Sequence, residues 1–161
     1  MSDTILIPDA ALPPRGVILN AIDPSQQESI TRRRGKLIFC VDDDHNIRQI
    51  VKHSLAEAGY PVLVARDGPT CLALLARYEP RVILLDIEMP EMDGLQTLLA
   101  MRQRFPDRRK TRIVFLTGRR TVADVMAARE NGADDYIIKP FTRANLIRRL
   151  DHWTQMPTTG L

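Results

Sequence analysis

The feature that most constrains this chain is an alternation of short apolar runs with segments of helical period. From Lys36 onward the runs LIFCV (37–41), PVLVA (61–65), RVILL (81–85), RIVFL (112–116) and DYII (135–138) recur. Runs of this length, bounded by polar residues or by Gly and Pro, read as strands. Each leads into a segment of helical character. The first of these carries Ile47, Ile50, Val51, Leu55 and Ala58 at three- and four-residue spacings, with Asp44 or Asn46 as cap and Gly59 as stop. GPTCLALLARY then places Pro69 in a first helical turn, and GLQTLLAMRQRF follows the third run. TVADVMAARENG ends at Gly132, and the last helix carries the apolar stripe Leu146, Leu150 and Trp153. Continuously apolar strands need cover on both sheet faces. The predicted fold is therefore α/β, a (βα)5 parallel sheet with helices on either side and right-handed crossovers.

Composition sets the outer limits. The 161 residues suit one domain plus a tail, and 44% hydrophobic with 27% charged residues describes a soluble globular protein. A net charge of +3 is too small to argue for nucleic acid by itself. Cys40 and Cys71 lack metal or redox spacing and read as buried thiols. No stretch approaches a membrane span and no signal peptide opens the chain, so a cytoplasmic location is expected. Residues 1–35, with Pro8, Pro13, Pro14, Pro24 and the run Arg32–Arg34, read as a flexible N-terminal extension.

The polar residues that break the pattern fall just past the carboxyl ends of the predicted strands. Asp42, Asp43 and Asp44 follow the first, Asp86 the third, Thr117 and Gly118 the fourth, and Lys139 and Pro140 the fifth. Ligands of open doubly wound sheets bind at that edge, so separate segments deliver carboxylates, a hydroxyl and an ammonium to one cleft. Carboxylates crowded at neutral pH repel, and an all-oxygen set that relieves the repulsion suits Mg²⁺ or Mn²⁺. Asp86 would then act as a nucleophile toward phosphorus, with Lys139 and the Thr117 hydroxyl offsetting charge on the phosphoryl oxygens.

CVDDDHNIRQIV, LLDIEMPEMDG, FLTGRR and DDYIIKPFT, in this order and spacing, closely resemble the receiver domain of bacterial two-component response regulators. The resemblance covers about residues 36–155 and implies a flavodoxin-like sheet in strand order 2-1-3-4-5. It implies Asp86 as phosphoacceptor and Asp42 and Asp43 as the acidic pair of a Mg²⁺ site completed by Asp86 and the Glu88 backbone carbonyl. Thr117 and Tyr136 match the switch positions, and Lys139 matches the essential lysine, with a cis bond to Pro140. The implied phosphodonor is a sensor histidine kinase or a histidine phosphotransferase.

Residues 156–161 read as a short tail with no output or DNA-binding domain, so output is expected through a downstream protein target, with a homodimer left open. Arg119, Arg120, Arg129, Arg143, Arg148 and Arg149 suggest a basic face formed by the fourth helix, fifth strand and fifth helix. A second expectation pairs the Glu88 and Arg119 side chains across the cleft mouth. Two alternatives to a phosphorylation switch remain at this level. One is an interaction scaffold indifferent to phosphate, and the other an Asp-nucleophile phosphohydrolase, for which no cap-sized insertion is present. The expected protein is not a turnover enzyme.

Overall fold

A computed structural model describes residues 36–118, 126 and 129–156, apart from the side chains of Arg108 and Arg109. The N-terminal extension, Arg119, Arg120, most of the helix predicted at 121–132 and the end of the tail lie outside the described residues.

The strands are β1 (Ile38–Val41), β2 (Val62–Ala65), β3 (Val82–Asp86), β4 (Arg112–Thr117) and β5 (Asp135–Ile138). They form one parallel sheet in the order β2-β1-β3-β4-β5. The helices are α1 (His45–Glu57), α2 (Gly68–Leu75), α3 (Gly94–Arg104) and α4 (Arg143–Gln155), with a 3-10 turn at Pro106–Lys110. Alternate strand residues feed two cores. Phe39, Val41, Ile83, Leu85, Ile113 and Phe115 pack with buried residues of α2 and α3. Ile38, Cys40, Val82, Leu84, Val114 and Leu116 pack with α1 and α4. Both thiols are buried and free, as expected.

Local chemistry sets the helix starts. The Asp44, Asp67, Asp93 and Thr142 side chains each accept a backbone N–H of the first turn of α1, α2, α3 and α4, satisfying donors that the helix leaves open. Asp93 and Gln96 form a reciprocal capping box. Gly59 follows α1 at φ 85°, where a side chain would strain the backbone.

Two expectations need correction. Ile50 is 53% exposed, and the buried face of α1 is Val51, Ser54 and Leu55. Asp86 and Thr117 are not past their strands but are the last residues of β3 and β4, so the sheet itself holds their backbones.

Candidate functional site

Register brings the polar residues together. Val41 pairs with Leu85, so Asp42 stands level with Asp86 on the neighbouring strand. Asp86 pairs with Leu116 and Thr117 with Ile138, which sets Thr117 one step and Lys139 two steps further along the same edge. The Lys139 N–H donates to the Thr117 carbonyl at 2.7 Å. The Lys139–Pro140 bond is cis, as the resemblance implied.

At this edge Asp42 and Asp86 are buried while Asp43 is exposed, and carboxylate oxygens of the three lie within 4.8 Å of one another. The Lys139 ammonium donates to Asp42 Oδ2 at 2.6 Å and stands 3.3 Å from Asp86 Oδ1. Asp42 Oδ1 accepts the Asp44 N–H at 2.9 Å, and Asp86 Oδ1 accepts the Glu88 N–H at 3.3 Å. Burial, and next the Asp42 charge, push the Asp86 carboxyl up to about 6 against the opposing pull of Lys139. Burial alone would lower the Lys139 ammonium, but its hydrogen bonds and charge contacts with Asp42 and Asp86 outweigh that and raise it.

The loop from β3 to α3 is moulded onto this edge. The Gly94 N–H donates to the Ile87 carbonyl at 2.9 Å, and a Cβ on Gly94 would meet the Asp86 carbonyl oxygen at 2.3 Å. Backbone cannot yield as a flexible side chain does, so only glycine lets the loop cross there. Glu88 is exposed, and the expected Glu88–Arg119 pair reaches beyond the described residues. Tyr136 is half-buried against the core on the α2 and α3 side, and its N–H donates to Asp135 Oδ1 at 2.9 Å.

Two groups escaped the sequence reading. Arg48 reaches back from α1 to the loop carrying Asp42 and Asp43. The signal available was a cation in the first turns of a helix, where the dipole disfavours positive charge. Asp135, Arg149 and Trp153 form the second group, at the opposite edge of the sheet. That group also revises the expected basic face. Arg149 pairs with Asp135 at 2.9 Å and Arg143 with Glu57 at 2.8 Å, so two of its arginines are neutralised within the fold. Arg148 donates to Asn145 Oδ1 at 2.9 Å.

Comparison with known proteins decides the family. The response regulator receiver domain model matches residues 38–151. The chain belongs to that family. It is 38% identical over 113 residues to the response regulator MprA of Mycobacterium leprae, a match covering 70% of this chain and 48% of that protein. The chain thus spans about half the length of the curated relatives it matches. The chemotaxis response regulator CheY4 of Vibrio cholerae superposes with a TM-score of 0.69 at 32% identity, covering 73% of this chain and 97% of that one. The receiver domain of Francisella response regulator 1452 gives 0.69 at 28% identity, covering 74% and 97%. Receiver domains serve phosphorylation-dependent two-component signalling and are not turnover enzymes. No helix among the described residues is long and apolar enough to cross a membrane.

The three carboxylates fit a hard divalent cation. They supply oxygen donors alone, and they carry more negative charge than the Lys139 ammonium and the Arg48 guanidinium on the same loop together offset.

Proposed function

We propose that this receiver domain is a phosphorylation switch in which Asp86 accepts a phosphoryl group from the phosphohistidine of a sensor kinase or histidine phosphotransferase. An Asp86 carboxylate oxygen attacks phosphorus, an acyl phosphate bond forms, and the P–N bond breaks with its electron pair returning to the imidazole nitrogen. Asp42, Asp43, Asp86 and the Glu88 carbonyl would hold Mg²⁺, or Mn²⁺ in its place. That ion supplies neutralisation of charge between the carboxylates and the phosphoryl oxygens. Lys139 holds Asp42 and Asp86 side by side and offers its ammonium to the incoming oxygens. Thr117 donates its hydroxyl to a phosphoryl oxygen, and Tyr136 turns with it to change the surface that partners read. The protein works mainly by positioning and charge placement, as phosphoryl transfer requires. The partners are the phosphodonor and a downstream protein, with self-association on phosphorylation as a further output, in the cytoplasm.

The observation that carries this reading is the buried Asp86 carboxylate held 3.3 Å from the Lys139 ammonium within a three-carboxylate cluster. The experiment is incubation of the chain with acetyl phosphate and Mg²⁺, followed by intact-mass measurement. One phosphoryl group is expected on the wild type, and none on Asp86→Ala or in chelator. An unmodified wild type would favour the scaffold alternative, and sustained release of phosphate from p-nitrophenyl phosphate the hydrolase.

A further inference from the structure

We infer that Arg48 is a positioning residue for the acidic site, fixing the backbone from which Asp42 and Asp43 project and so setting its affinity for a divalent cation. The inference rests on the metal reading of the site proposed above. Arg48 Nη1 donates to the Asp42 carbonyl at 2.7 Å and to the Asp43 carbonyl at 2.9 Å. Its Nη2 lies 3.5 Å from His45 Nδ1. One guanidinium thus spans the turn between β1 and α1.

The other site residues are held differently. The Asp86 backbone belongs to the β3–β4 ladder, and Lys139 is tied to Thr117. Asp42 donates its N–H to Ala65 at 3.1 Å and fixes its carboxylate on Asp44 and Lys139. Asp43 lies one residue further out and is exposed. Among the described residues, Arg48 supplies the hydrogen bond that ties the Asp43 backbone down. A cation this close to a helix N-terminus works against the helix dipole. The two carbonyl contacts, both from Nη1, give that placement a physical reason, because the two hydrogens of that nitrogen are fixed in the guanidinium plane and hold two acceptors in one geometry.

The direction of the effect separates positioning from mere charge. A guanidinium near a divalent ion repels it, so if Arg48 acted only as a charge, removing it would tighten Mg²⁺ binding. Positioning demands the reverse. Loss of groups that orient metal ligands commonly weakens affinity by about 10- to 100-fold, and the lower end is expected here because the contacts are to backbone.

The test is calorimetric titration of Mg²⁺ into the whole chain without phosphodonor, for wild type, Asp43→Asn, Arg48→Met and Arg48→Lys. Asp43→Asn should lose most of the binding. Arg48→Met should raise Kd about tenfold, and Arg48→Lys about threefold, since the lysine ammonium keeps the charge and its donors but rotates freely and lacks the fixed planar direction of the guanidinium hydrogens. Thermal unfolding in chelator gives the stability readout. A purely structural role for Arg48 would lower that midpoint and leave Kd unmoved. An unchanged or tighter Kd in folded Arg48→Met overturns the inference. Should that variant fail to fold, an unchanged Kd in Arg48→Lys overturns it instead. Absence of Mg²⁺ binding by the wild type overturns the metal reading itself, an outcome distinct from the other two.

Discussion

The two edges of the sheet handle charge in opposite ways. At the carboxyl edge three carboxylates crowd together with the Lys139 ammonium touching two of them, Asp42 and Asp86, and the buried Asp86 is pushed up to about 6 by burial and by Asp42. At the amino edge of β4 and β5, acids and bases are matched. Asp134 pairs with Arg112 at 2.8 Å and also accepts the Ile113 N–H, while the buried Asp135 accepts from Arg149, from Trp153 Nε1 at 3.0 Å and from the Tyr136 N–H. The Arg112 guanidinium lies 5.4 Å from the Trp153 ring centroid, and Arg81 donates to the Met156 carbonyl at the end of α4. Charge matched and hydrogen-bonded in this way holds structure together. Charge left crowded destabilises the fold until something binds it, which supports the proposal that the carboxyl edge is the working one.

The largest expected effect on stability therefore belongs to the amino edge. Asp135→Ala leaves the Arg149 guanidinium and the Trp153 indole N–H without their partner. Removing one member of a buried charged network is expected to cost about 2–4 kcal/mol, measurable by urea denaturation in chelator. Mg²⁺ affinity, measured by calorimetry on the folded variant, should stay within about twofold, because contacts so far apart act independently. A fall in metal affinity alongside the fall in stability would break the comparison, since the two edges would then be one coupled unit.

The same contrast explains what the sequence made legible. The carboxyl edge could be read because Asp42, Asp86, Thr117 and Lys139 each interrupt or end an apolar run, and the parallel alternation of strand and helix brings such positions to one edge. The amino edge could not. Asp135 meets Arg149 and Trp153 across 14 and 18 residues, and Arg112 meets Asp134 across 22, with no periodic pattern linking them. The arginines of α4 read as part of one basic face, because nothing local shows which of them turns back to a buried acid. Ile50 was misplaced for a related reason. Helical spacing shows that a stripe exists but not where its margin lies, and Ile50 falls outside the face that Val51 and Leu55 bury. The strand ends were legible only to within a residue, since a carboxylate at the last ladder position looks the same in sequence as one just beyond it.

A smaller effect, opposite in sign, is expected at the working edge. Folded Asp86 holds its proton more tightly than the unfolded chain does, so the metal-free protein should lose stability as pH rises from the ordinary value of 3.8 through about 6. Asp86→Asn removes the charge and keeps the shape. In chelator at neutral pH it should be more stable than the wild type by about 1–2 kcal/mol, allowing for solvent screening at the cleft. Its stability should lack the decline between those pH values. Urea denaturation at a series of pH values measures both. A wild type whose stability stays flat across that interval would mean that Lys139 already offsets the crowding, and the contrast between the edges would lose its energetic basis.

The smallest effect tests whether an ion pair matters simply by being present. Glu57 and Arg143 join α1 to α4 at 2.8 Å, yet their side chains are 46% and 52% exposed, and Glu57 also meets His53 at 3.2 Å. Water and salt compete for such a pair, and ordering two long side chains offsets much of the attraction. Glu57→Ala and Arg143→Ala should each shift stability by less than about 1 kcal/mol, and the coupling in a double-mutant cycle should shrink further at high salt. Coupling as large as the Asp135→Ala effect would show that exposure is no guide to which charges hold this fold. The matched charges of the amino edge would then owe their strength to something other than burial, and the distinction between the edges would have to rest on the number of hydrogen bonds each acid receives.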